Sequence, residues 1–119
     1  MELSTRHFVR PADHNHHQTL YAGRLSDWMT EAAMIGVTNF LGDNEHVVLV
    51  AISDLNIQKP VTAGMILELY YEIKSLGTTS IQVGVLAKNM LTGEDHASAT
   101  CIFVTTDSKG QKTPHHLSL

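Results

Sequence analysis

A chain of 119 residues and 13.1 kDa fits one folded domain, so a single unit over 1–119 is expected. Its 43% hydrophobic and 17% charged residues exclude a disordered composition, and a formal charge of -4 provides no basic field for nucleic acid. One cysteine, Cys101, excludes an internal disulfide, and the stretch MELSTRHFVR lacks the apolar core of a secretory signal. With no apolar run near the roughly 20 residues of a membrane helix, the expected compartment is the cytoplasm, with no membrane partner.

Residues 4–10 alternate weakly and stop at Pro11, as an edge strand does. Residues 12–19 turn to Asp, His, Asn and Gln, a polar loop without the composition of a flexible one. From 23 to 41, Leu25, Trp28, Met29, Ala32, Ala33, Ile35, Gly36 and Phe40 recur at spacings of three and four, which predicts one long, mostly buried amphipathic helix stopped by Gly42. Residues 46–57 are rich in β-branched and aliphatic side chains, and their unbroken apolar start predicts a strand covered on both faces. Alternation over 67–74 and again over 81–89 predicts half-buried strands, and 97–106 a last one before a polar tail that frays from Ser108. Short connections favour antiparallel neighbours, and only a sheet curled around the helix buries both apolar faces. Such a sheet keeps two open edges, which a dimer joining edges would resolve.

Motifs along the chain sharpen that outline. Asn15-His16-His17-Gln18-Thr19-Leu20-Tyr21-Ala22-Gly23 followed by Trp28-Met29-Thr30-Glu31-Ala32-Ala33 resembles a loop of the form Asn-His-x-Gly-Thr-Leu-Phe-Gly-Gly and a helix with a Met-Asp-Glu-Ala-like segment. Further matches are Pro60-Val61-x-x-Gly64, Gly77-Thr78-Thr79-Ser80, Asn89-Met90-Leu91-Thr92-Gly93-Glu94, and Ala99-Thr100 through Phe103-Val104 to Asp107. In that order and spacing they resemble the acyl-CoA thioester hydrolase branch of the hotdog-fold thioesterases. The resemblance implies an α+β hotdog fold, one long central helix wrapped by a curled antiparallel sheet of about five strands. It also implies acyl-CoA or CoA as the ligand with no cofactor, and a homodimer that can extend to a tetramer or hexamer. The chain departs from the family where Thr30 stands at the position of the catalytic carboxylate, Gln18 at the loop glycine, and Tyr21-Ala22 in place of Phe-Gly.

Thioester hydrolysis needs an oxyanion stabiliser and a base. The free N–H groups of a helix start near Ala22 and Gly23 suit the first role. For the second, Glu31 is the carboxylate nearest the expected position, but one residue along a helix turns a side chain by about 100°, so a surface ion pair is the competing role. Thr30 can orient a water, and Asp27 is an alternative acid or simply part of a solvated helix face. Asn15 is a candidate to bind the acyl carbonyl or a water, or else to tie its own loop. His14, His16 and His17 look like a metal cluster but lack a further ligand at a recognisable spacing, so no metal is expected. For substrate binding the candidates are Thr19 and Tyr21 beside the loop and, from the resemblance, Asn56, Lys59, Thr78, Thr79 and Ser80, with Lys88 or Lys109 as phosphate contacts. Leu20, Tyr21, Trp28 and Met29 are candidates for an acyl channel or for core. Hydrolysis of acyl-CoA is the leading expectation. A non-hydrolytic acyl-CoA binder, and a hotdog lyase or hydratase using an acid at Glu31, are the alternatives.

Overall fold

The computed structural model describes all residues, 1–119. Strand β1 (Glu2–Phe8) leads through a single 3-10 turn at Pro11–Asp13 to helix α1 (Ala22–Leu41). Four strands follow, β2 (Val47–Ile57), β3 (Ile66–Leu76), β4 (Ser80–Asn89) and β5 (Asp95–Thr105). All pairings are antiparallel, in the spatial order β1-β3-β4-β5-β2. The helix, the five strands and the hairpins at 77–79 and 90–94 stand where the periodicity places them. None of the helices is long and apolar enough to cross a membrane.

The alternation in β3 and β4 sends Leu67, Leu69, Tyr71, Ile81, Val83, Val85 and Ala87 inward, where they meet Leu25, Met29, Ala32, Ala33 and Val37 of the helix. One residue lets helix and sheet approach closely. Gly36 has no side chain where the Tyr71 ring lies, so a Cβ there would sit 2.4 Å from the ring. The Tyr71 hydroxyl then donates to Glu2 at 2.9 Å and accepts from Asn39 at 3.0 Å, tying β1 to the helix's C-terminal half. Gly42 closes α1 at φ 71°, and its N–H donates to the Thr38 carbonyl.

Three expectations are corrected. Strand β2 is not covered on both faces: it is the outer edge beyond β5, and Val48, Leu49, Val50, Ile52, Leu55 and Ile57 are 39% to 54% exposed. The helix packs mainly on β1, β3, β4 and β5, and of β2 only Val47 joins the core, so an apolar run that signals two buried faces is left largely bare on a single chain. Ile35, read as part of the buried helix face, is likewise exposed at 46%. The tail does not fray at Ser108: Thr113 N–H donates to Thr105 and His115 N–H to Thr78, binding the chain back over the β3–β4 hairpin.

Gly36→Ala should destabilise the fold by about 1–3 kcal/mol, because its methyl meets the root of a buried ring that cannot swing away, and this outweighs the roughly 1 kcal/mol of helix propensity gained. Urea denaturation followed by circular dichroism measures the difference.

Candidate active site

The loop before the helix is held by a buried acid. Asp13, 2% exposed, accepts the Arg10 N–H at 2.9 Å through its side chain, and its own carbonyl accepts the Tyr21 N–H at 2.9 Å. Its second carboxylate oxygen lies 3.4 Å from Nε of Arg24, and Nε of Arg10 lies 3.7 Å from the first. Leu20 N–H donates to Val61 at 2.7 Å, which fixes the loop against the stretch before β3. The loop is thus polar and ordered, as its composition suggests. His14 is committed to this scaffold as well, its Nε2 accepting the Ala63 N–H at 2.8 Å, while His16 and His17 are exposed.

Asn15 is spent on its own loop. Its side-chain oxygen accepts the N–H groups of His17 and Thr19, and its amide donates to the Thr19 hydroxyl. Gln18 adopts φ 62°, a left-handed conformation that costs any residue with a Cβ and explains why glycine suits this position.

At the helix start, Tyr21 makes no side-chain cap and the first turn carries no acid. The N–H groups of Ala22, Gly23 and Arg24 therefore have no acceptor within the chain. Gly23 opens onto a groove of about 570 Å³ lined by Tyr21, Arg24, Ser26, Asp27 and Thr30 of the helix side and by Leu49 and Ile52 of β2. A smaller, more apolar cavity of about 230 Å³ lies on the other side of the first turn, between Asn15, Thr19, Ala22 and Leu25 and the chain from Ile57 to Val61. The Thr30 hydroxyl donates to the Asp27 carbonyl at 3.0 Å.

The structure brings together Tyr21, Gly23, Asp27 and Thr30 in one groove, and Asn15, Thr19 and Ala22 in the neighbouring cavity. Glu31 lines neither; it is exposed on the flank facing β1, where its charge acts on His7. His7 stacks on Trp28 with ring centroids 4.4 Å apart, and burial lowers its pKa below the usual histidine value against the opposing pull of Glu31, Asp13 and Asp27. Trp28 is thereby a partner of β1, and Leu20 and Met29 are core, so Tyr21 alone of the acyl-channel candidates faces the groove.

The remaining substrate-binding candidates lie elsewhere on the chain. Asn56 sits on the outer sheet face with its amide on the Asp54 carbonyl. Lys59 pairs with Glu94. Thr78, Thr79 and Ser80 form the β3–β4 hairpin, at the end of the sheet opposite the helix start, and their carbonyls are taken by His115 and Thr105. Sequence reasoning passed over Arg24 and Asp13, because nothing in the local pattern distinguishes a buried acid in a polar loop from an exposed one.

A five-stranded antiparallel sheet around one helix is shared with known proteins. The profile of the Thioesterase superfamily matches residues 17–90, and the chain belongs to that family. It is 30% identical over 112 residues to YkhA of Bacillus subtilis (strain 168), an uncharacterized acyl-CoA thioester hydrolase, covering 89% of this chain but only 63% of that protein's length. Among solved structures, it resembles the acyl-CoA hydrolase of Staphylococcus aureus, determined with butyryl coenzyme A, coenzyme A and coenzyme A disulfide, with a TM-score of 0.84 and 27% identity over 92% of this chain and 66% of that one. The hexameric thioesterase y2039 of Yersinia pestis shares the fold, with a TM-score of 0.84 and 23% identity over 95% and 93% of the two chains.

Replacing Gln18 with Gly should raise stability by about 0.5–1 kcal/mol, since relief of the left-handed backbone exceeds the added freedom of the unfolded chain. A higher thermal midpoint in a calorimetric scan is the expected result.

Proposed function

We propose that the protein hydrolyses acyl-CoA thioesters to a free acid and CoA in the groove at the start of α1, in the cytoplasm and without a cofactor. The observation that carries this is the meeting of unpaired helix N–H groups with a carboxylate in one groove. The thioester carbonyl accepts from the N–H group of Gly23, which lines the groove and stabilises the oxyanion formed on attack. Asp27, about one helical turn above Gly23 (about 6 Å of rise), takes a proton from water as the water oxygen bonds to the carbonyl carbon. Thr30 accepts a hydrogen bond from that water. The tetrahedral intermediate then expels the CoA sulfur, and Asp27 returns the proton to the thiolate, so acyl-CoA and water become acid and CoA. Asp27 is preferred to Glu31 because it faces the groove and Glu31 does not. Asn15 and Thr19 support the loop that shapes the site.

The groove is open on its β2 side, and we propose that a second copy of the chain closes it. The bare apolar edge of β2 supports a homodimer joined there. In an antiparallel junction of two β2 strands, the start of one helix lies beside the partner's opposite sheet end. That end carries Thr78, Thr79 and Ser80, which explains how a hairpin remote within one chain can serve substrate binding, with Asn56 and Lys59 near the shared edge. The hexameric assembly of related thioesterases makes further association of dimers the expected state.

Free thiol release from a panel of acyl-CoAs tests the reaction. Cys101 adds no background, since it is buried and burial pushes its thiol up to about 11. Asp27→Ala should lower kcat by about 100-fold or more, whereas Glu31→Ala should retain most of it; the reverse result would move the base to Glu31. Tight CoA binding without thiol release would reject hydrolysis, and loss of a β-substituent without release would indicate a lyase. For the assembly, Ile52→Glu at the centre of β2 should shift sedimentation toward the monomer and abolish turnover while leaving the circular dichroism spectrum intact.

A further inference from the structure

We propose that Arg24, held in place by the buried Asp13, selects acyl groups that end in a carboxylate. The inference rests on the hydrolytic reading of the same groove and names its substrate class. Arg24 lines the groove between Gly23 and Asp27. Its contact with Asp13 is made through Nε at 3.4 Å, which leaves both terminal nitrogens without a protein acceptor, on a side chain 47% exposed toward the open side. Asp13 is itself fixed by the Arg10 N–H and by the turn that receives Tyr21, so the guanidinium is held at a set place and not on a free arm. A planar guanidinium with two free nitrogens suits a carboxylate bidentately.

Position decides which anionic group of the substrate meets it. Arg24 and Gly23 line the same groove, so with the thioester carbonyl at the Gly23 N–H the guanidinium reaches atoms a few bonds from the reacting carbon. The phosphates of CoA are separated from the sulfur by the whole pantetheine arm and fall outside that reach. The groove's other walls are mixed: Tyr21, Ser26 and Thr30 carry hydroxyls on the helix side, and Leu49 and Ile52 give a short aliphatic surface on the β2 side. Asp27 repels an acyl carboxylate from its own side, which directs that group toward Arg24. A short dicarboxylic acyl group, such as a succinyl or glutaryl unit, matches these walls better than a long alkyl chain.

The test compares kcat/KM for succinyl-CoA and butyryl-CoA in the wild type, Arg24→Gln and Arg24→Lys. The wild type should prefer succinyl-CoA, and Arg24→Gln should lower the succinyl-to-butyryl ratio by about tenfold or more, with Arg24→Lys between the two. A ratio is insensitive to a partial loss of folded protein or of overall rate. Preference of the wild type for butyryl-CoA, or a ratio unmoved in Arg24→Gln, would overturn the proposal. A change confined to discrimination between CoA and 3′-dephospho-CoA thioesters would overturn it in favour of a phosphate contact. Should the wild type release no thiol at all, hydrolysis fails separately, and the same ratio is read from calorimetric binding of non-hydrolysable succinyl and butyryl thioether analogues of CoA.

Discussion

A single helix about 10 Å across cannot cover five strands spaced about 4.8 Å apart, and the architecture of this protein follows from that mismatch. Helix α1 takes the inward side chains of β1, β3, β4 and β5, and β2 extends past it. The uncovered strip between helix and β2 becomes the groove, with helix polar groups on one wall and Leu49 and Ile52 on the other. The same excess strand is an apolar edge in need of a neighbour. The groove's open side and the bare apolar edge thus share one cause, the strand that the helix leaves uncovered.

Chemical capacity is concentrated where the loop becomes the helix. A helix start with no capping side chain leaves three N–H groups for a ligand. Keeping such groups unpaired requires that the backbone leading to them be held from elsewhere, and here Asp13 does so through Arg10 N–H and Tyr21 N–H. Asp13 also brings Arg24 to the groove's edge. One buried residue therefore holds the backbone before the helix through its carbonyl and a cation at the groove's edge through its carboxylate.

The carboxylate itself shows how little sequence adjacency means on a helix. Thr30 and Glu31 are neighbours in the chain, yet the 100° step between them puts Thr30 on the groove and Glu31 on the β1 flank beside His7. Asp27, three residues before Thr30, shares its face. Residues three apart are neighbours on a helix surface, so Thr30 and Asp27 line the same groove.

Local pattern by itself determined the helix, the two central hairpins and the identity of the core face, since period-3.6 and period-2 burial are written directly into Leu25, Met29 and Ala33 or Leu67, Leu69 and Tyr71. It also marked Gly42 as the helix stop and Gln18 as a residue at a glycine's place, and the loop motif made the family visible. Only the tertiary structure decided that β2 crosses to pair with β5 and is an edge, because an apolar run looks the same whether its cover is the same chain or another. It alone decided which acid faces the groove, that Asp13 is buried against Arg24, and that the 78–80 hairpin lies at the far end of the sheet from the helix start. These depend on strand order and on the rotation of one helix about its axis, quantities that arise from long-range packing and leave no mark on neighbouring residues.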